Sequence, residues 1–202
     1  WEKISTDLTN GKMEGNVPFG TITSIAESKF KFGQLVVGTD DGNIHVTTDE
    51  GASWNLISSS LPVRWITHLE VDPRDALSVY ATLSGYRYHE NMSHVYHSAD
   101  GGNTWTDIGG NLPDVPCNDL ILDTTYSTLY LATDVGVFYS YIGSNAWQPL
   151  GIDLPLVPVC DLRLHYPTHK LLAATYGRSM YTYDLNILTA SETPKTESSF
   201  AV

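Results

Sequence analysis

Seven residues in segments that read as loops could bind a ligand through stacking, hydrogen bonding and charge. They are Arg64, Tyr86, Arg87, Tyr88, His89, Asp134 and Arg178. Tyrosine rings stack on the faces of sugar rings, and an arginine among them adds hydrogen bonds or grips a peptide. The pattern favours recognition of a glycan or a protein, although the loop 85–92 could equally be a polar connection packed on its neighbours.

Acidic residues could support hydrolysis instead. A glycoside hydrolase needs two carboxyl groups about 5–5.5 Å or 6.5–9.5 Å apart. The sequence contains no nucleophile elbow, no Ser/His/Asp spacing and no phosphate-binding glycine loop, so no catalytic residue is assigned and no cofactor is expected. His94 and His97 lie three apart on a predicted strand and face opposite sides, so we expect no metal site. The carboxylates available near predicted loops are Asp40, Asp119, Asp134 and Asp161.

A repeated motif positions these loops. Residues 47–54 (TTDEGASW) and 98–105 (SADGGNTW) share the pattern S/T-x-D-x-G-x-S/T-W, and residues 140–147 keep only its Ser and Trp. Alternating apolar and polar residues flank each copy, which predicts a hairpin whose turn is the motif. The motif residues with an expected structural role are Thr47, Asp49, Gly51, Trp54, Ser98, Asp100, Gly102, Trp105 and Trp147.

The residue types in the motif indicate how it stabilises the turn. We expect the Asp to accept hydrogen bonds from turn amides two or three residues on. Glycine tolerates a positive φ, and the Trp can bury a large ring between neighbouring repeats. Trp1, Trp54, Trp105 and Trp147 are each followed three residues later by Ile or Leu. The Asp residues are therefore predicted to be structural rather than catalytic.

This pattern resembles the Asp box, or BNR repeat, of β-propellers such as sialidases, Vps10 domains and xyloglucanase-type glycoside hydrolases. Residues 112–116, 130–138 and 173–179 also look like the closing blades of large secreted bacterial propellers. The resemblance implies an all-β fold and a binding face where the loops meet. It is weak evidence for activity, because enzymes and pure binders share the motif, and the Arg-Ile-Pro signature of sialidases is missing.

The repeat predicts about four blades of four strands over residues 1–185, followed by a linker or disordered tail over 186–202. The third blade, for example, is predicted to have strands at 119–122, 128–133, 136–141 and 146–150. The fourth blade lacks a predicted outer strand, whereas residues 1–8 are predicted to form one without a blade. Two alternatives follow: residues 1–8 complete the fourth blade, or they finish a preceding blade, and other segments of a parent protein complete the ring.

Composition excludes some partners. The net charge of −12 disfavours nucleic acid and anionic membranes, and no apolar run is long enough to span a bilayer. Cys117 and Cys160 are one residue out of register on equivalent strands, which favours two free thiols on opposite faces. We expect a non-enzymatic extracellular or cell-surface module that binds glycan or protein. The alternative is part of a glycoside hydrolase whose cleft is completed by other blades.

Overall fold

The computed structural model describes residues 1–11, 19–86 and 92–191, which form fifteen strands and one short helix. The strands are β1 (Ile22–Glu27), β2 (Leu35–Thr39), β3 (Ile44–Thr47), β4 (Asn55–Leu56), β5 (Trp65–Val71), β6 (Val79–Ser84), β7 (Val95–Ser98), β8 (Thr106–Asp107), β9 (Cys117–Asp123), β10 (Thr128–Thr133), β11 (Gly136–Tyr141), β12 (Gln148–Pro149), β13 (Val159–His165), β14 (Lys170–Thr175) and β15 (Met180–Asp184). A 3-10 turn, Tyr166–Thr168, joins β13 to β14, and helix α1 spans Asn186–Ser191.

The chain is an all-β propeller of about four blades. Each blade is an antiparallel sheet whose strands follow in chain order: β1 to β4, β5 to β8, β9 to β12, and β13 to β15. The first strands are the inner ones, because β1 packs on β5, β5 on β9 and β9 on β13. Among the described residues, no packing of comparable extent joins β13 to β1.

Three apolar clusters fill the spaces between successive blades. One joins blades 1 and 2, one joins blades 2 and 3, and one joins blades 3 and 4. A twisted sheet has two faces to bury, so in this fold most of the hydrophobic stabilisation lies at these blade-to-blade contacts.

The strands predicted for the third blade at 128–133 and 136–141 coincide with β10 and β11.

Two expectations about the chain ends are wrong, whereas the fourth sheet has three strands, as predicted. Residues 1–8 form no strand. The segment 186–202 was expected to lack structure, but it begins with α1 because Leu185 is buried and Leu188 packs on the cluster between blades 3 and 4. Residues 192–202 lie outside the described part.

The two complete motif turns share one hydrogen-bond pattern. In the first, the Thr47 hydroxyl accepts from the amides of Asp49 (3.3 Å) and Gly51 (2.9 Å). Asp49 instead binds Ser53, four residues on, whose amide and hydroxyl donate to its carboxylate at 2.9 and 2.6 Å. These hydrogen bonds lower the pKa of Asp49 to about 2. The prediction that the motif Asp accepts hydrogen bonds from amides two or three residues on is therefore wrong.

The second turn repeats these contacts. The Ser98 hydroxyl accepts from the amides of Asp100 and Gly102, and Asp100 accepts from the amide (2.8 Å) and hydroxyl (2.7 Å) of Thr104. Gly102 has a φ of 90°, and a Cβ there would come within 2.5 Å of the Ile57 side chain. The turn thus needs glycine both for its backbone conformation and for its contact with the preceding blade.

The tryptophans connect successive repeats. The indole N–H of each motif Trp donates to the carbonyl of the residue three positions after the Trp of the preceding repeat, which explains the recurring Trp-x-x-Ile/Leu spacing. The three bonds run from Trp54 to Ile4 (2.9 Å), from Trp105 to Ile57 (2.7 Å) and from Trp147 to Ile108 (2.7 Å). Residues 1–4 therefore lie on blade 1 where the outer strand of a preceding blade would lie.

Burial predicts different costs for removing these rings. Trp147 is buried, so Trp147→Ala should lower the free energy of unfolding by about 3–5 kcal/mol. Trp54 is only partly buried, so Trp54→Ala should lower the free energy of unfolding by less than half of that amount. Urea unfolding of the two variants checks this, with Trp147→Phe separating the indole hydrogen bond from ring burial. Equal losses for Trp54→Ala and Trp147→Ala would show that burial does not set the cost.

Candidate functional site

Every inner strand carries one bulged residue near its start. The pairing of β1 with β2 skips Thr23, and the corresponding pairings in the other blades skip one residue each. A bulge turns a side chain out of the regular alternation and is common beside binding sites. The four bulged residues are Thr23, Thr67, Asn118 and Cys160.

The bulged side chains bind the next blade. Each of the first three donates to the carbonyl of the residue just before the next bulge: Thr23 Oγ1 to Ile66 O (2.6 Å), Thr67 Oγ1 to Cys117 O (2.6 Å) and Asn118 Nδ2 to Val159 O (3.0 Å). The one-residue offset of the cysteines now has its explanation, because Cys160 is a bulged residue and Cys117 is not. Both are free thiols, as predicted, and Cys117 is buried whereas Cys160 is exposed.

A cavity of about 470 Å³ lies beside the bulges of blades 2, 3 and 4, at the end of the propeller that holds the turns between second and third strands. Thr67, Asn118 and Cys160 contribute to its lining. Three aromatic rings, Phe19, Trp65 and Tyr86, line it as well and are partly or largely exposed. All four blades contribute residues, so the cavity is the mouth of the central channel. We call it the mouth cavity.

Two carboxylates line the mouth cavity, and they are held differently. Asp40 is buried and accepts from the amides of Phe19 (2.6 Å) and Thr21 (2.8 Å), so it anchors the segment that leads into β1. Asp134 accepts one side-chain hydrogen bond, from Asn118 Nδ2 at 2.9 Å. Asp134 therefore keeps acceptor capacity for a ligand hydroxyl.

The structure brings two of the predicted ligand-binding residues, Tyr86 and Asp134, into the mouth cavity. Arg64 and Arg178 do not line it, and Arg64 Nη1 donates to the neighbouring Val63 carbonyl at 2.5 Å. The predicted residues Arg87, Tyr88 and His89 lie outside the described part of the chain.

Sequence reasoning missed the residues that depend on long-range contacts. Phe19 belongs to a loop with no recognisable motif, and Asn118 reaches the cavity only through its bulge. The bulge does leave a trace in the sequence, since Asn118 and Cys160 each stand just before an Asp-Leu pair. The nearby Asp119 and Asp161 do not line the mouth cavity.

Asp119 is the centre of a second cluster, formed by residues of the inner strands that do not line the mouth cavity. It is buried, and its Oδ1 lies 3.0 Å from His68 Nδ1, while its Oδ2 accepts from the Leu162 amide at 2.6 Å and lies 3.7 Å from Arg163 Nη1. Asp161 forms a closer ion pair with Arg163, at 2.6 Å. These contacts join the inner strands of blades 2, 3 and 4. We call this set the channel cluster.

The channel cluster shifts the pKa of its members. Burial alone would lower the pKa of His68, but hydrogen bonds and negative charge from Asp119 and Glu70 outweigh it and raise the pKa to about 9. Burial would raise the pKa of Asp119, yet His68 and two backbone amides lower it. His68 is therefore an imidazolium at neutral pH, paired with a carboxylate. Within the described residues, no group of His, Cys, Asp and Glu side chains could hold a metal ion.

Comparisons with known proteins support the fold. No protein-family model matches the chain. A xyloglucanase of Hypocrea jecorina is 32% identical over 106 residues, which are 52% of this chain and 12% of that enzyme. The chain thus spans about one eighth of the curated relative's length.

Three solved structures are similar at lower identity. The GH74 xyloglucanase of Xanthomonas campestris gives a TM-score of 0.64 at 15% identity, covering 79% of this chain and 28% of that one. The extracellular domain of a two-component system protein from B. thetaiotaomicron gives a TM-score of 0.63 at 15% identity, covering 86% of this chain and 22% of that one. The β-propeller domain of Cps50 (Swd1) from Myceliophteria thermophila gives a TM-score of 0.61 at 12% identity, covering 85% of this chain and 55% of that one, and this likeness supports the propeller fold. No helix in the described residues is long and apolar enough to cross a bilayer.

The channel cluster predicts a stability that depends on pH. The folded-state pKa of His68 is raised above 6.5, so its contribution is complete below pH 6.5 and is lost as the pH rises through about 9. The pKa of Asp119 is lowered, so its contribution is complete above pH 3.8 and is lost as the pH falls below that. His68→Gln should therefore destabilise the protein strongly at pH 6 and much less at pH 10, measured by urea unfolding.

The control is the same substitution in an Asp119→Asn background. There His68 has lost its main partner, and the pH dependence of the His68→Gln effect should largely disappear. An effect of His68→Gln that is equal at pH 6 and pH 10 in the original protein would contradict the assignment of the charged pair.

Proposed function

We propose that this chain is a glycan-binding part of an extracellular propeller protein and that the mouth cavity holds the sugar. The observation that carries the proposal is the set of partly exposed rings, Phe19, Trp65 and Tyr86, around a cavity of about 470 Å³ that also presents Asn118 and Asp134. Cavities of roughly 300–1,000 Å³ are typical of ligand sites.

The chemistry of the lining suits a neutral sugar. Aromatic faces stack on the C–H faces of pyranose rings, and the Asp134 carboxylate and Asn118 amide can bind hydroxyl groups. The chain carries a net charge of −12, which repels acidic polysaccharides. A neutral glycan chain lying over Trp65 and Tyr86 therefore fits better than a charged one.

The relatives suggest which neutral glycan to test first. The 32% identity to a xyloglucanase covers half of this chain, and xyloglucan is the substrate in that protein's name. The likeness to an extracellular domain is consistent with export to a place where plant or microbial polysaccharides occur. We therefore propose a β-glucan of the xyloglucan type as the ligand class.

The carboxylates favour binding over hydrolysis within this chain. Hydrolysis needs an acid and a second carboxylate that are both available to substrate. Of the two acids in the mouth cavity, Asp40 is occupied by the amides of Phe19 and Thr21. The second candidate function, part of a hydrolase whose cleft other blades complete, is favoured by the xyloglucanase similarity. In that case Asp134 would be the carboxylate that this chain supplies.

Calorimetric titration with xyloglucan oligosaccharides tests the binding proposal. Trp65→Ala and Tyr86→Ala should each weaken binding about tenfold, or ~1.4 kcal/mol, because each removes one stacking surface. The matched control is Phe32→Ala, which removes an exposed ring from the turn between β1 and β2, at the opposite end of the propeller. Binding that survives both Trp65→Ala and Tyr86→Ala unchanged would place the ligand elsewhere.

An assay for reducing sugar separates the two functions. We expect no release of reducing ends from xyloglucan by the isolated chain, and Asp134→Asn should weaken binding only modestly, since an amide can still bind hydroxyl groups. If the original protein turns over xyloglucan and Asp134→Asn abolishes turnover while binding is retained, the chain is part of a hydrolase and not a binding module.

A further inference from the structure

Tyr86 lines the mouth cavity from a position just beyond the end of a strand. Ser84 ends β6 and also lines the cavity, and Gly85 and Tyr86 follow it. Trp65, by contrast, belongs to β5 and is paired with Ser84. The Tyr86 side chain is 73% exposed, and no hydrogen bond or ring contact joins it to another described residue. The position of Tyr86 therefore depends on what supports the backbone at Gly85.

The support at Gly85 is the imidazole ring of His94. A Cβ added to Gly85 would come within 2.3 Å of His94 Cε1, which is closer than a real Cβ approaches any other atom. Gly85 is not among the glycines with a positive φ. The close approach of the ring, and not the backbone conformation, is thus what requires glycine at this position. His94 packs directly against the residue that precedes Tyr86.

The backbone of His94 is fixed by the sheet of blade 2. His94 lies immediately before β7, and its carbonyl accepts a hydrogen bond from the Leu83 amide at 2.8 Å. This bond continues the pairing of β6 with β7 by one residue. The residue is buried. Because its backbone cannot shift without breaking the sheet, the orientation of the ring decides whether the contact with Gly85 is made.

Asp114 sets the orientation of that ring. His94 Nε2 lies 3.1 Å from Asp114 Oδ1, and an ionised carboxylate can only accept, so Nε2 carries the proton. The other ring nitrogen, Nδ1, is buried and has no hydrogen-bond partner among the described residues. Asp114 belongs to the connection from β8 to β9. The hydrogen bond therefore joins the start of β7 to the segment that leads from blade 2 into blade 3.

The ring has space into which it could turn away from Gly85. A second cavity, of about 220 Å³, is lined by His94 and Asp114, whereas Gly85 and Tyr86 do not line it. Buried side chains are normally held by close packing on all sides, and a cavity removes the packing atoms on one side. Packing alone therefore does not keep the ring against Gly85. The hydrogen bond to Asp114 does.

We infer that His94, oriented by Asp114, is a positioning residue that fixes Tyr86 at the mouth cavity. Without the hydrogen bond, the imidazole turns into the second cavity, Gly85 loses its contact, and Tyr86 becomes more mobile. A glycan must then order Tyr86 when it binds, which costs free energy and weakens binding. The expected loss of glycan affinity rests on the proposed function, whereas the fixed position of Tyr86 does not.

Measurement of ¹⁵N relaxation tests the positioning role without any ligand. In Asp114→Ala, the order parameter of the Tyr86 amide should fall from about 0.85 towards about 0.6, while that of the Trp65 amide stays unchanged. Asp114→Asn should keep Tyr86 ordered, because the amide oxygen of asparagine still accepts from Nε2–H. The Asp114 side chain is 45% exposed, and circular dichroism verifies that both variants are folded. An unchanged order parameter at Tyr86 in Asp114→Ala would overturn the inference.

Calorimetric titration with xyloglucan oligosaccharides tests whether Asp114 acts through Tyr86. Asp114→Ala should weaken binding about threefold in the original chain and by the same factor in a Trp65→Ala background. In a Tyr86→Ala background it should have no further effect, since no ring remains to be positioned. The matched control is Asp153→Ala, which removes an exposed carboxylate from the connection between blades 3 and 4 and should leave binding unchanged.

The two measurements separate this inference from the proposed function. A lowered order parameter at Tyr86 in a chain that binds no oligosaccharide would support the positioning role and reject glycan binding. If Asp114→Ala weakens binding equally with and without the Tyr86 ring, Asp114 acts by another route and the inference is wrong. It is also wrong if Tyr86→Ala weakens binding and Asp114→Ala leaves it unchanged.

Discussion

The rest of this structure depends on the contact between neighbouring blades. Each contact packs aliphatic side chains of an inner strand on the preceding sheet and adds a hydrogen bond from a bulged side chain to a main-chain carbonyl, as from Thr67 to Cys117. The contacts between blades 1 and 2 and between blades 2 and 3 also have a hydrogen bond from an indole at the outer edge, as from Trp105 to Ile57. Because a single sheet cannot bury both of its faces, no blade is stable without this contact, and stability is shared along the row of blades.

The bulge links this contact to the candidate site. An inner strand without the extra residue would alternate regularly, and the side chain that binds the next blade would be on the other face. The same extra residue also carries Asn118 and Cys160 to the mouth cavity. Asn118 does both at once, since its amide donates to Val159 O and to Asp134. The wall of the candidate site is thus built from the groups that join the blades.

Some acidic residues of the chain have a structural role, and others can bind a ligand. Burial of the carboxylate distinguishes the two groups. Asp40 and Asp119 are buried, and their oxygens accept backbone amides that would otherwise be unpaired. A strongly acidic composition therefore does not by itself mean an acidic active site. Asp134 differs because its remaining acceptor capacity faces a cavity lined by aromatic rings. This contrast is the main physical reason to favour sugar binding over catalysis within this chain.

The sequence alone determined the all-β class, the repeat and the strands with clear alternation, such as β10 and β11, because period-two patterning and the turn motif are local signals. It also predicted the offset between Cys117 and Cys160. It did not predict that Asp49 binds Ser53, that residues 1–8 form no strand, or that Phe19 and Asn118 line a cavity. Those features depend on register shifts and on contacts between distant segments, which only the packing of one blade on the next decides.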